Sequence, residues 1–274
     1  MYMPIFIKEG KVEIAVSIIV FFMGTVFGSF LTLATYRIPL KKDITHERSF
    51  CPTCNHRLEF LDLIPVLSYI FLGGKCRYCK EKISPRYLIY EIFSGISFLL
   101  IYKSLNINLY EINIQEIEKI IFLSFIFFIY PMFAIISGID KEKGYIQKNV
   151  FIYGIIVEVI YMVYLYTLAK VSIHRYVIYL FIMLVIFLIN KLVNKPKVDY
   201  ILMSLNVGLF IAMVLGTKNI MISTICTLGA FLITYIEQRI KTKEKKFSFS
   251  ICMWLSIFSE LTMIVTNMIE NYNF

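Results

Sequence analysis

The chain has 274 residues, of which 58% are hydrophobic and 17% charged, and its mean hydropathy is +0.73. Soluble globular proteins are closer to half apolar and a quarter charged, so this composition excludes an ordinary soluble domain and predicts a membrane protein. The net charge of +9 does not predict nucleic-acid binding, because no soluble nucleic-acid-binding fold or basic groove with interleaved aromatic residues is visible. Basic cytoplasmic loops explain the charge better.

Eight apolar segments are each close to the roughly 20 residues that a helix needs to cross a bilayer. Their continuous hydrophobicity argues against a membrane β-barrel, whose strands alternate. The first ten residues lack the features of a secretory signal, so the first segment is expected to remain in the mature protein. The predicted fold is an all-α polytopic membrane protein with about eight transmembrane helices. The predicted spans are residues 13–35, 87–104, 119–138, 149–168, 176–192, 200–216, 219–236 and 248–269.

The distribution of Lys and Arg predicts the orientation of these spans. The loops after the first, third, fifth and seventh spans hold 21 of the 28 basic residues. Cytoplasmic loops carry such an excess, so these loops are predicted to be cytoplasmic and both termini to lie outside. The largest cytoplasmic loop is then residues 37–86.

Four cysteines in this loop form two C-x-x-C pairs, CPTC and CRYC, separated by 21 residues. This spacing is typical of a tetrahedral all-cysteine metal site, in which zinc is the usual ion. A reducing cytoplasm favours metal ligation over disulfides, and a loop of about 50 residues is too small to build much of a core alone. Free thiols or a redox role are the alternatives. The predicted ligands are Cys51, Cys54, Cys76 and Cys79.

Three other residues could be mistaken for parts of this site. His56 lies two residues after Cys54, and with four cysteines present it is expected at the surface or beside the site. Cys226 and Cys252 lie within predicted spans and are interpreted as small apolar residues.

Two of the four aspartates lie at the cytoplasmic ends of predicted spans. Asp140 ends the third span, and Asp199 precedes the sixth. If their side chains meet, the pair can share one proton and act as an aspartyl protease dyad. The alternative is two solvated interfacial aspartates, each paired with nearby lysines. Among the other carboxylates of the spans, Glu91 could be structural or functional, and Glu158 and Glu260 have no predicted role.

The sequence resembles the type IV prepilin peptidases, which are GxGD-type aspartyl proteases of the membrane. The resemblance is carried by GSFLTLATYRIP from Gly28, CPTCNHRL, LDLIPVLSYIFLGGKCRYCKEKIS and RYLIYEIFSG, which together run to about Gly95. Beyond this block the match is looser. Ile139-Asp140 corresponds to the family's first catalytic aspartate, and Asp199 to the second.

The resemblance implies a multi-pass protein of the bacterial cytoplasmic (inner) membrane that cleaves type IV prepilins or pseudopilins after a glycine on the cytoplasmic side. It also implies that S-adenosylmethionine can serve as donor for N-methylation of the new terminus. No glycine-rich nucleotide loop indicates where this donor would bind. The implied organisation is an N-terminal segment with the first helix (1–36), a small zinc-stapled cytoplasmic loop domain (37–86) and a seven-helix membrane domain with the protease site (87–274).

The chain departs from the family pattern where activity is decided. The G-x-G-D motif before the second aspartate reads Pro196-Lys197-Val198-Asp199 here, and Gln147-Lys148 replaces a usual Pro-Asp. Glycines permit backbone conformations that proline and valine do not. Two alternatives therefore stand beside a peptidase: a non-proteolytic paralogue that binds prepilins or assembly factors, and a methyltransferase without peptidase activity.

Overall fold

The computed structural model describes residues 3–168 and three single residues further along the chain, Val177, Phe181 and Asn206. Over these residues the fold is helical, as predicted, and β structure is limited to two isolated bridges. The α-helices are α1 (Met3–Arg37), α2 (Leu67–Phe71), α3 (Pro85–Ser104), α4 (Ile114–Lys143) and α5 (Lys148–Thr167), and short 3-10 helices cover Ile38–Leu40 and Phe60–Asp62.

Three helices in the described part of the chain are long and apolar enough to cross a membrane. They are Lys11–Leu40, Ile114–Asp140 and Lys148–Thr167, and they correspond to the first, third and fourth predicted spans. The helical lengths therefore support the predicted membrane character for this part of the chain. The four spans predicted from residue 176 onward lie outside the described residues, so the total of eight stays a prediction.

The second predicted span is the helix α3, although α3 is not among these three apolar helices. Its start follows from local sequence, since Ser84 caps the helix by accepting a hydrogen bond from the Arg86 amide and Pro85 occupies the first turn. Its lower hydropathy comes from polar side chains that are buried, namely Glu91, Ser94, Ser97 and Ser104. Twenty helical residues extend about 30 Å, which matches the hydrocarbon thickness of a bilayer.

Helix α3 packs antiparallel against α1. At one end Lys103 of α3 forms an ion pair with Glu13 of α1. Further along, the Phe27 and Phe98 rings lie 5.3 Å apart between centroids. This packing along a helix that is long and apolar enough to span a membrane supports the second predicted span.

Two glycines let α1 and α3 approach closely. A Cβ at Gly24 would lie 2.7 Å from the Ser94 carbonyl oxygen, and one at Gly28 would lie 2.8 Å from the Tyr90 carbonyl oxygen. These neighbours are backbone atoms, which cannot move aside without moving the helix. The pair forms a G-x-x-x-G motif, which is common where membrane helices contact each other. The motif is visible in the sequence as GTVFG, Gly24 to Gly28, but was not among the predicted features.

Replacing Gly28 with leucine should therefore separate α1 from α3. Overpacking of a close contact typically costs about 1–3 kcal/mol, so we expect a lower thermal unfolding temperature of the detergent-solubilised protein. Ala15→Leu is the matched control, because Ala15 lies exposed on α1. Equal unfolding temperatures for the two variants would contradict the close helix contact.

The chain divides into one compact unit up to Lys119 and a second from Ile120. In the second unit, α4 and α5 form a hairpin that turns at Gly144, whose φ is +69°. The side chain of Met132 occupies the space that a Cβ at Gly154 would need, and the rings of Phe125 and Tyr161 stack 4.0 Å apart. The fully buried side chains of α4 recur at helical spacing, at Ile129, Met132, Ile136 and Ile139.

Candidate metal centre and catalytic residues

The two C-x-x-C pairs fold into two turns with the same hydrogen bonds. In each, the amide of the first cysteine donates to a carbonyl five residues later, and its carbonyl accepts from the amide four residues later. An isolated bridge closes each turn, at Phe50–Arg57 and at Lys75–Lys82. The residue after each second cysteine is left-handed, with φ of 55° at Asn55 and 60° at Lys80. The two turns are therefore copies of one structure.

These turns bring the four predicted ligands together. Their sulfur atoms all lie within 4.8 Å of one another, and the Cys51 and Cys79 sulfurs are 3.8 Å apart. A tetrahedral ion with metal–sulfur distances near 2.3 Å needs sulfurs about 3.8 Å apart. The same separation is far too long for a disulfide, and all four cysteines are free thiols. An all-sulfur tetrahedral set suits zinc.

The local environment distinguishes the four thiols. Cys51 and Cys76 are buried, whereas Cys54 and Cys79 are exposed. Burial raises the pKa of Cys51, but hydrogen bonds from the Cys54 and Thr53 amides outweigh it and hold that pKa at about 7. The Glu81 amide lowers the pKa of Cys79, but desolvation and the neighbouring thiols raise it to about 12. A divalent cation is the partner that lets four such thiols ionise together.

Side chains around the cluster connect its two turns. The His56 ring of the first turn lies 3.5 Å from the Tyr78 ring of the second. His56 is exposed and is not one of the four clustered ligands, in agreement with its predicted place beside the site. Asp62 accepts hydrogen bonds from Arg77 at 2.6 Å and from the Tyr78 hydroxyl at 3.2 Å. Burial raises the pKa of Asp62, but the bonds from Arg77 and the Glu59 amide bring it below its usual range.

Arg37 orders the chain where it leaves α1. Its guanidinium is buried and donates to three backbone carbonyls between 2.8 and 3.2 Å away, those of Asp43, Glu47 and Arg48. The planar guanidinium has enough donors for all three, whereas a lysine ammonium is a compact group on a flexible stem.

Arg37→Lys should consequently destabilise the loop that follows α1 although it keeps the charge. Each hydrogen bond that is lost contributes about 0.5–1.5 kcal/mol to stability, so the loop should exchange its amide hydrogens faster around residues 43–48. Arg48→Lys is the matched control, because Arg48 is exposed. Unchanged exchange in Arg37→Lys would show that the three hydrogen bonds do not hold this segment.

The structure describes one of the two predicted catalytic aspartates. Asp140 lies near the end of α4 and is 4% exposed, one turn after the fully buried Ile136. Its carbonyl accepts a hydrogen bond from Gly144, where the chain turns towards α5. Asp199 lies outside the described residues, so the pairing of the two carboxylates stays a prediction.

Two other carboxylates have partners that the sequence did not indicate. Glu91 is 8% exposed and accepts a 2.7 Å hydrogen bond from the Val66 amide. Glu158 is 1% exposed and accepts one from the Asn206 side-chain amide at 2.5 Å. Both contacts join residues 25 or more positions apart, and periodicity within one helix cannot reveal them.

Comparison with known proteins identifies the N-terminal part of the chain. Residues 22–105 match the profile of the bacterial peptidase A24 N-terminal domain. The matched residues include the second half of α1, the whole of α3 and the complete four-cysteine cluster, and the match ends before Asp140. It confirms the resemblance to the prepilin peptidase family.

Curated proteins that are similar to this chain point to the same family. A prepilin leader peptidase/N-methyltransferase of Vibrio cholerae is 33% identical over 121 residues, which cover 41% of this chain and 45% of the relative. Proteins of the same name from Myxococcus xanthus and Bacillus subtilis are 39% and 41% identical over 82 and 80 residues. These cover 30% and 29% of this chain, and 24% and 32% of the relatives. The chain thus covers less than half the length of each. No solved structure gives a significant match.

Proposed function

We propose that the chain is an aspartyl endopeptidase of the bacterial cytoplasmic membrane that removes the leader of type IV prepilins or pseudopilins. The observation that carries this proposal is the A24 N-terminal domain over residues 22–105, whose curated relatives are named prepilin leader peptidases/N-methyltransferases. The helices long enough to span a membrane support the location. The excess of basic residues in alternate loops supports a cytoplasmic active site and external termini.

Asp140 and Asp199 are the proposed catalytic pair. In such a pair one carboxyl is ionised and the other is protonated, because two like charges in contact share one proton. The ionised carboxylate takes a proton from water while the water oxygen bonds to the scissile carbonyl carbon. The protonated carboxyl donates a hydrogen bond to the carbonyl oxygen. The carbon–nitrogen bond then breaks, and the leaving amine takes up the proton. The burial of Asp140 supports this role, since bulk water is excluded around it.

The four cysteines are proposed to hold a structural zinc ion. Their sulfur spacing and all-thiol chemistry fit this ion, and a bound zinc would join the two turns covalently. The ion would contribute to folding of the loop and not to bond cleavage, since four protein ligands leave no open position.

No site for S-adenosylmethionine follows from the described residues. A cavity of about 590 Å³ lies at the C-terminal end of α3, lined by Tyr102, Lys103, Asn108, Glu116 and Lys119 among others. Its charged lining residues are already in ion pairs, Lys103 with Glu13 and Lys119 with Glu116. It also lies at the end of α3 remote from the cysteine cluster.

The test is reconstitution of the purified full chain in vesicles with type IV prepilins. Mass spectrometry of the pilin N-terminus follows the reaction, and a prepilin whose leader glycine is replaced by valine is the matched control. The peptidase proposal predicts loss of the leader from the glycine form alone. Binding without cleavage would support the non-proteolytic alternative, which the Pro196–Asp199 sequence motivates. Methylation of an already cleaved pilin without any cleavage would support the methyltransferase alternative.

A further inference from the structure

An exposed apolar surface lies beside the four-cysteine cluster, on residues 60–71. Six large hydrophobic side chains point outward there, and four of them are 60% exposed or more. They are Phe60 (81%), Leu61 (60%), Leu63 (41%), Leu67 (38%), Ile70 (60%) and Phe71 (82%). We call these six residues the apolar edge. A soluble loop would rarely expose a continuous set of this kind unless the surface binds something.

The one charged side chain within this segment is turned away from the apolar edge. Asp62 has a side-chain exposure of 3% and is held by Arg77 and Tyr78 of the second cysteine turn. The backbone amide of Glu59 donates to the same carboxylate. The fold thus neutralises and covers the only acid between residues 60 and 71, and leaves an outer surface of aliphatic and aromatic groups.

The contact between Val66 and Glu91 fixes the depth of this segment relative to α3. Arg86 and Lys103 are 17 positions apart on α3, so they are separated by about 26 Å, close to the hydrocarbon thickness of a bilayer. Along the helix axis, Glu91 lies about 8 Å deeper in the membrane than Arg86. Its side chain leans towards the helix N-terminus, as helical side chains do. It accepts the Val66 amide at 2.7 Å, so Val66 lies in the shallow layer between the levels of Arg86 and Glu91.

The structure holds Val66 firmly at this level. Val66 has φ of 64°, a conformation that is strained for a β-branched residue and that persists only where surrounding contacts enforce it. A second tie is the 3.2 Å hydrogen bond from the Tyr69 hydroxyl to the Ile83 carbonyl, just before α3 begins. The segment that carries the apolar edge is therefore attached at Val66 to the second turn of α3 and at Tyr69 to the residue Ile83 just before that helix.

From this placement we infer that residues 60–71 dock in the cytoplasmic interface of the lipid bilayer, with the apolar edge inserted at the boundary between headgroups and acyl chains. Interfacial segments insert apolar side chains about 5–10 Å into this boundary, which matches the level set by Val66 and Glu91. Residues 57–86 contain six Lys or Arg and three Asp or Glu. This excess suits the anionic headgroups of a cytoplasmic leaflet. The cysteine cluster would then be held against the membrane surface, independently of any peptidase activity.

Fluorescence quenching by brominated lipids tests this inference. The chain has a single tryptophan, Trp254, so Phe71→Trp and Phe60→Trp are made in a Trp254→Phe background. The full chain is reconstituted in phosphatidylethanolamine–phosphatidylglycerol vesicles whose acyl chains carry bromine near the headgroup. Phe50→Trp is the matched control, because Phe50 is a partly exposed phenylalanine of the same loop but lies outside the apolar edge.

The inference predicts a several-fold larger fractional loss of fluorescence for Phe71→Trp and Phe60→Trp than for Phe50→Trp. Equal quenching of all three would overturn it. Protection of Phe71→Trp from aqueous iodide without quenching by the bromolipids would also overturn it, because a protein surface and not lipid would then cover the apolar edge. Thiol titration of each variant, compared with the parent protein, verifies that the cysteine cluster is intact.

Discussion

Asp140→Asn should reduce the rate of prepilin leader cleavage by about a thousandfold or more, because an asparagine can neither accept the proton from water nor share one with Asp199. The substitution keeps the size of the side chain and its capacity for hydrogen bonds. Substrate binding and protein stability should therefore change little. The measurement is the initial rate of leader release in vesicles, with prepilin binding measured separately.

Asp43→Asn is the control for this substitution. Asp43 is an exposed aspartate of the same chain that accepts bonds from the Thr45 and His46 amides at 2.7 and 3.0 Å. These bonds lower the pKa of Asp43, which stabilises its turn above the ordinary aspartate pKa but has no part in the proposed chemistry. Asp43→Asn should cleave at nearly the wild-type rate. A comparable loss in both variants would mean that the effect of Asp140→Asn is not catalytic.

Substitution of the proposed zinc ligands should have the second large effect, on the stability of the loop. Structural zinc contributes apparent binding free energies of about 10–16 kcal/mol in small zinc domains, which exceeds what a loop of this size can supply from its own core. The double variant Cys51→Ser/Cys76→Ser should therefore contain no zinc, and its loop should be cleaved rapidly by added protease. Elemental analysis of the purified wild type should give one zinc ion per chain.

The other two cysteines provide the control. Cys226→Ser/Cys252→Ser removes the same number of thiols outside the cluster and should retain the zinc ion and the resistance to protease. If purified wild-type protein contains no zinc and all four loop thiols titrate freely under native conditions, the zinc assignment is wrong. Equal zinc loss from both double variants would mean that the cluster does not specify the ion.

The cysteine cluster was predictable because metal ligation imposes a spacing on the sequence. Two C-x-x-C pairs predict four sulfurs around one point without any knowledge of the intervening fold. That the two turns have the same structure was harder to predict from the sequence. The shared structure depends on a left-handed residue after each C-x-x-C pair. Asn55 is a common residue in this conformation, but Lys80 is not. Tertiary contacts override local preference there.

Membrane helices were predictable from length and hydropathy, whereas their contacts depend on single residues. The span 87–104 was predicted although its helix is less apolar than the others, and the structure explains its stability by packing on α1. Glu91 shows where such prediction ends. It accepts a hydrogen bond from the Val66 amide, which belongs to a different segment 25 positions earlier in the chain. Every residue except proline has a backbone amide, so the sequence does not indicate which amide will donate to a buried carboxylate.

The most direct test of the central claim is leader cleavage by Asp199→Asn, compared with Asp140→Asn and Asp43→Asn in the same vesicles. Asp199 follows Pro196, Lys197 and Val198, where the family has a motif with two glycines. Its catalytic role is therefore the part of the proposal that most needs a direct test. If the two aspartates act as one pair, the mass spectrum of the pilin N-terminus should show the same loss of cleavage for Asp199→Asn as for Asp140→Asn. Cleavage by Asp199→Asn at the rate of wild type and Asp43→Asn would contradict the aspartyl dyad.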